Sequence, residues 1–279
     1  MWHADGINQQ TGKTTTMCLI TLNWQPATKT PLIVAANRDE FYARSALPMH
    51  RWPDSSVLAG KDLQAGGTWL GVAEVAGAVR FSALTNYRAS AGHRPDAPTR
   101  GHITTTFLSG TMSAPAYLDT LHATASLYNP FNLIVFDGQA LMGYESRHLR
   151  AFALPHGISA VSNADFNTPW PKLARLCHEF EQTLARHHGS PLTEHELFNL
   201  LANDAVAADG ELPETGISLP KERALSAAFV RTPDYGTRAC SVVQIGVAAA
   251  SFAERRFDGN GFKGESRERL SLLTLDNPG

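Results

Sequence analysis

Short apolar runs recur along the chain, each closed by a turn-forming cluster. Residues 18–24 (CLITLNW) and 32–36 (LIVAA) are β-type runs joined by QPATKTP, whose two prolines set a turn, so the pair reads as a hairpin. ARSALPMHRWPDS reads as a loop, and TWLGVAE and AVRFSALTNY follow as two further strands around a glycine turn. Strand follows strand without an intervening helix, which points to an antiparallel sheet. The polar stretch 88–100 precedes two predicted helices, at about 101–109 and 114–127; Ser113 offers the second an N-cap with Pro115 just inside. FNLIVFDG, ALMGYES and LRAFALP then read as a second strand meander.

From 169 to 187 the period changes. Leu173, Leu176, Cys177, Phe180 and Leu184 recur at helical spacing. LTEHELFNLLAN predicts another helix, opened by a Thr193–Glu196 capping box. Residues 204–223 read as loop, and RACSVVQIGV and ASFAERRF as a closing strand pair. Blocks of strands separated by helix pairs, with no regular βαβ alternation, define an α+β chain. The expected organisation is a disordered extension at 1–16, one domain over 17–257 and a polar tail at 258–279, with the helices at 101–127 and 169–203 on outer faces.

Composition narrows the function classes. The 279 residues carry 43% hydrophobic and 18% charged side chains with a net charge of −2, an ordinary globular balance. No Lys/Arg block suggests a nucleic-acid partner, and no apolar run reaches the roughly 20 residues of a membrane span. Cys18, Cys177 and Cys240 are odd in number and lack C-x-x-C spacing, which argues against a disulfide framework or a zinc site and fits a cytoplasmic protein. GINQQTGKT imitates a phosphate-binding loop, but five residues rather than four separate Gly6 from Gly12, and no strand precedes it. No cofactor is expected. The implied partner is a small-molecule substrate or ligand, and a homo-oligomer remains open.

Cys18 heads the first strand. A cysteine attacks as thiolate, and something must take its proton. When cysteine is the first residue its own α-amine, with a pKa of about 7.7–8.0, is a base near neutrality. A start at Met17 followed by methionine removal meets that requirement; in a peptide bond the nitrogen has no such basicity. The other reading makes Cys18 a small buried hydrophobe. Arg38 and Asp39 close the partner strand and come near Cys18 if the hairpin is in register. A guanidinium there would lower the thiol pKa, and a carboxylate would orient the ammonium. The competing view is a solvated hairpin end.

MCLI, AANRDEFYAR, GGTWLGV, ALTNYR, FNLIVFD, VSNADFNTPWPK, YGTRACSVV and FAERRF together resemble the NRDE family, also called transport and Golgi organisation 2, from Met17 to about Phe257. That family is similar to the cysteine N-terminal-nucleophile hydrolases, such as penicillin V acylase and bile salt hydrolase. The resemblance implies a four-layer αββα sandwich of two antiparallel sheets and hydrolysis of a non-peptide C–N amide or related acyl bond. It assigns Cys18 as nucleophile, Arg38 and Asp39 as its flanking pair, Asn86 to the oxyanion hole, Asn163 as a second structural or catalytic asparagine, and Arg238 as a late arginine near the nucleophile. Family members open at Met-Cys, so residues 1–16 are read as an early start or a pro-segment. Family links with lipid and haem handling imply the alternative, a non-catalytic binding or carrier protein for haem or an acyl lipid.

Overall fold

The computed structural model describes residues 17–88, 93–187 and 192–271. The expected extension at 1–16 and the loop-like GINQQTGKT lie outside them. The elements, in chain order, are Met17–Trp24 (β1), Leu32–Phe41 (β2), Ala46–Arg51 (β3), Val57–Asp62 (β4), Leu70–Val75 (β5), Ala78–Asn86 (β6), Gly101–Ser109 (α1), Ala114–His122 (α2), Phe131–Phe136 (β7), Leu141–Glu145 (β8), Arg150–Ala153 (β9), Gly157–Val161 (β10), Pro171–His187 (α3), Glu194–Leu201 (α4), Leu219–Leu225 (α5), Tyr235–Ile245 (β11), Ala249–Asp258 (β12) and Gly261–Ser271 (β13). Single 3₁₀ turns occupy Ala125–Leu127 and Asp209–Glu211.

The strands form two antiparallel sheets. Six strands run in the order β10-β1-β2-β11-β12-β13, and seven in the order β3-β4-β5-β6-β7-β8-β9. Strand alternation gives each sheet two apolar faces. Ile20, Leu22 and Val34 of the first sheet meet Leu58, Val72, Phe81 and Ile134 of the second in one buried core. On the outer face of the first sheet, Leu19, Ala35 and Val242 bury Leu176 and Phe180 of α3 and Leu197 and Phe198 of α4. Across the molecule, Val57, Ala73, Leu133 and Val135 bury Ile103 and Phe107 of α1 and Leu118 of α2. The result is a helix–sheet–sheet–helix sandwich, with both helix pairs on outer faces as expected. α2 begins at the Ser113 cap with Pro115 in its first turn, and α4 carries the complete Thr193–Glu196 capping box.

Five segments depart from the sequence reading, among them GISAV, unassigned from sequence, which is β10. ALPMHR is a strand, not loop; it is an edge strand with a register shift between Leu47 and His50, where Pro48 sits, and only Met49 is buried. VLAGKD, unassigned from sequence, is β4. The stretch 204–223, read as loop, contains the start of α5, which has Pro220 in its first turn. The segment expected as a polar tail after Phe257 carries β13, which pairs with β12 along its length. An edge strand needs little apolar surface, and ion pairs dress this one: Arg255–Glu265 at 2.7 Å and Arg267–Glu194 at 2.8 Å.

Candidate functional site

Backbone register decides which side chains can meet. In the β1–β2 ladder Cys18 lies opposite Arg38, and Met17 opposite Asp39. The hairpin therefore does bring Arg38 beside Cys18. The period of two then separates the NRDE residues. Arg38 shares the inter-sheet face with Ala36 and Cys18, whereas Asp39 shares the helix-side face with Ala35 and Met17.

The inter-sheet face opens at this end into a cleft of about 520 Å³, lined among others by Cys18, Arg38, Glu40, Asp62, Asn86 and Arg238. Cys18 lies at its base with 4% of its surface exposed. Arg38 sits between two carboxylates, Glu40 at 3.3 Å and Asp62 at 3.6 Å. Arg44 adds a second cation, 2.7 Å from Asp62. Burial pushes the Cys18 thiol up to about 12; Arg38 pulls it down, while Asp39 and Glu40 push it further up. With its nitrogen in a peptide bond, burial thus favours the protonated thiol.

Two asparagines tie this point to the second sheet. Asn86 closes β6 and lines the cleft. Asn163 lies just past β10, 1% exposed, and its Nδ2 donates to the Asn86 carbonyl at 2.7 Å. Ser162 beside it donates to the Cys18 carbonyl at 2.8 Å. Asn163 thus sits behind Asn86 rather than in the cleft wall.

Arg238 is the extra residue of a bulge in β11, between Thr237 opposite Asp39 and Ala239 opposite Arg38. Its Nη1 donates to the carbonyls of Phe41, Tyr42 and Arg44 at 3.0, 3.1 and 2.9 Å, and its Nε to Phe257 at 3.2 Å. This arginine lines the cleft while bracing its rim.

Beneath Cys18, on the helix side, lies a buried polar cluster. Asp39 is fully buried and accepts from Thr237 Oγ1 at 2.7 Å; its second oxygen has no hydrogen-bond partner. Lys172, in the first turn of α3, is 2% exposed, and its Nζ also lacks one. Asn37 donates to the Leu201 and Ala228 carbonyls, both at 2.8 Å, which fastens β2 to the helix layer. The Met17 N–H donates to Tyr235 Oη at 2.7 Å. Trp170 packs in the same layer, with the Arg88 guanidinium 4.9 Å from its ring centre.

Burial raises Asp39 to about 6, opposed first by Lys172. Burial lowers Lys172 to about 8, opposed first by Asp39. Each group thus favours the charged form of the other against the effect of burial. A folded value raised above the unfolded one makes Asp39's contribution to stability complete at low pH and lost as pH rises towards about 6. Lys172, shifted down, contributes fully at high pH and loses that contribution as pH falls towards about 8. Replacing Lys172 by methionine should move the Asp39 carboxyl titration, followed by carbon-13 NMR, above its wild-type midpoint. An unchanged midpoint would show that the two groups do not interact.

Sequence reasoning missed Lys172, Ser162 and Tyr235 as neighbours of Cys18, although all three fall inside motifs it quoted. The signal available was strand and helix phase: Met17, Asp39 and Thr237 share one face. Away from the cleft, Glu145, His148 and Asp165 place donor atoms within 4.8 Å of one another. Those donors are engaged: Arg150 and the Phe166 N–H take Glu145, and His148 pairs with Asp165 at 3.1 Å. This grouping is therefore a local ion-pair network.

The chain matches the family profile described as Transport and Golgi organisation 2 over residues 17–259. It is 33% identical over 268 residues to the Transport and Golgi organization protein 2 homolog of Bos taurus, covering 88% of this chain and 94% of that protein. It is 31% identical to the Mus musculus homolog, covering 86% and 92% of the two chains. Against the Drosophila melanogaster Transport and Golgi organization protein 2 the identity is 28%, over 77% of this chain and 81% of that one. The matched span begins at the Met17–Cys18 pair that heads β1 and takes in both sheets and the cleft between them, so the chain belongs to the transport and Golgi organisation 2 family.

Proposed function

We propose that this protein is a cysteine N-terminal-nucleophile hydrolase acting on a non-peptide amide, or a related acyl bond, of a small molecule. The observation that carries this reading is that Cys18, Arg38 and Asn86, from three strands of two sheets, line one cleft. Asn163 and Asp39 stand directly behind them. Once Cys18 is the first residue, its α-amine takes the thiol proton. Sulfur then attacks the substrate carbonyl, and the Asn86 side chain with neighbouring N–H groups stabilises the oxyanion. Loss of one such donor costs about 2.7–4 kcal/mol of barrier. The resulting ammonium protonates the departing amine, and water cleaves the thioester. Asp39, held ionised by Lys172, keeps the charge balance beneath this chemistry. Residues 1–17 precede the nucleophile and must be absent or removed in the active form.

The test is direct. Protein beginning at Cys18 is incubated with a panel of amides and thioesters, and an acyl adduct is sought by intact mass and mapped to the N-terminal peptide. No adduct and no cleavage across the panel would end the hydrolase reading.

A second reading, a carrier for haem or an acyl lipid, is favoured by one observation: with Cys18 peptide-bonded to Met17 and 4% exposed, the thiol at the cleft is buried and has no α-amine base. Intact mass of the mature protein separates the two, because a chain that retains Met17 lacks the base. The three cysteines are unpaired, in keeping with a cytoplasmic setting, and among the described residues no helix is long and apolar enough to cross a membrane.

A further inference from the structure

The transverse row that carries Cys18 continues across the sheet. Cys18 pairs with Arg38, Arg38 with Ala239, and Ala239 with Arg256. Cross-strand partners point to one face, and all four residues line the cleft. At about 4.8 Å per strand, three spacings set Arg256 about 14 Å from Cys18 at the backbone. Between the two arginines Ala239 presents only a methyl group, which leaves the floor of the cleft low.

The two arginines differ in what they already hold. Arg38 is matched by Glu40 and Asp62. Arg256 has no ion-pair partner among the described residues, and its buried Nε has no hydrogen-bond partner. Glu254, on the same face two residues back, accepts from the Met49 N–H at 2.8 Å; burial raises its affinity for a proton, and the Met49 N–H and the charge of Arg256 oppose that without an ion-pair contact. The Arg256 guanidinium lies across Gly264, its partner on β13, where a Cβ would stand 2.8 Å from Nη2. A side chain at 264 would push it aside. On the facing wall Arg100, just ahead of α1, also lacks a carboxylate partner among the described residues; its Nη1 donates to the Pro130 carbonyl at 3.0 Å. The Arg256 Nε is taken out of water without a partner, which is costly, and the planar guanidinium fork matches a carboxylate or phosphate.

We infer that the ligand of this cleft is an acidic acyl compound, whose carboxylate or phosphate is held by Arg256 while its acyl end lies at Cys18. The placing of the acyl end rests on the hydrolase reading above; the anion site does not. Arg100 adds positive charge at the Cys18 end, and Ala239 gives the connecting chain room to lie flat.

The test uses full-length Cys18→Ala protein, which binds without turnover. Calorimetric titrations compare N-hexanoyl-6-aminohexanoic acid with its primary amide, and hexyl phosphate with hexanol. The acid, the phosphate or both should bind at least tenfold tighter than the uncharged counterpart, and which one does so identifies the anion. Arg256→Gln should erase that preference without weakening the uncharged compound, and Arg256→Lys should restore part of it, at melting temperatures close to the parent's. Equal affinity within both pairs, no binding by any of the four, or an equal loss on charged and neutral compounds overturns the anion site. In protein starting at Cys18, a bound acid that is never cleaved ends the hydrolase reading and leaves the anion site standing. Equal cleavage of the acid and its amide does the reverse.

Discussion

Cys18→Ala, in protein that begins at position 18, should lower the rate of amide or thioester cleavage by about 10⁴–10⁶-fold, the loss seen when a nucleophile is deleted from a cooperating site. Cys18→Ser should also be severely slowed, because a hydroxyl with the same base is a far poorer nucleophile at neutral pH. The effect depends on position as well as identity. The thiol is buried and its proton held up to about 12, so a chain retaining the Met17–Cys18 bond should react as poorly as the alanine variant. Rates on the longer chain equal to those on the shorter, with the longer confirmed intact by mass, would show that the α-amine is not the base. Retention of activity in Cys18→Ala would remove Cys18 from the mechanism altogether.

The largest loss of stability should come from Glu222→Ala. Arg88 and Glu222 form an ion pair at 2.9 Å with side chains only 3% and 6% exposed. Thr215 completes it: Arg88 Nη1 donates to its hydroxyl at 2.7 Å, and its N–H donates to Glu222 at 3.1 Å. Arg88 also touches the Met17 sulfur, so the pair props the start of β1. Removing the carboxylate strands a buried guanidinium, at a cost of about 3–5 kcal/mol in urea unfolding. Replacing both partners by apolar residues of similar size, Arg88→Met with Glu222→Leu, should recover most of that loss. A loss under about 1 kcal/mol in the single variant would mean that water reaches Arg88 and screens it.

These two sites show where sequence was sufficient and where it was not. The Cys18–Arg38 contact was readable because two apolar runs and a proline turn define a hairpin, and a hairpin has a register. The same logic, carried one residue further, separates Asp39 from Arg38, yet the four consecutive polar letters read as one cluster. The helix pairs were legible from period and caps. Strand β3 was not, because a proline at a bulged edge mimics a loop, and strand β13 was not, because a charged edge strand mimics a tail. Lys172 is the hardest case. A lysine in the first turn of a helix ordinarily points into water, and only the stacking of α3 on the first sheet encloses it with Asp39. Arg88 was hidden likewise, its partner lying 134 residues away in α5.

The two sheets differ in one respect that bears on how the molecule comes into being. In the seven-stranded sheet every neighbour in space is the neighbour in sequence, β3 through β9. The six-stranded sheet is stitched from both ends of the domain: β1 pairs with β10, and β2 with β11. Closing such distant loops is slow compared with zipping a meander. The meander should therefore protect its amides first in pulse-labelled hydrogen exchange, with β1 and β11 protected together and late. Simultaneous protection of both sheets would contradict that order. The cysteine of β1 is accordingly synthesised well before the wall that Arg238, Ala239 and Arg256 build around it, which arrives only with β11 and β12. Truncation within β11 or β12 would leave one sheet able to form and the thiol without its cleft.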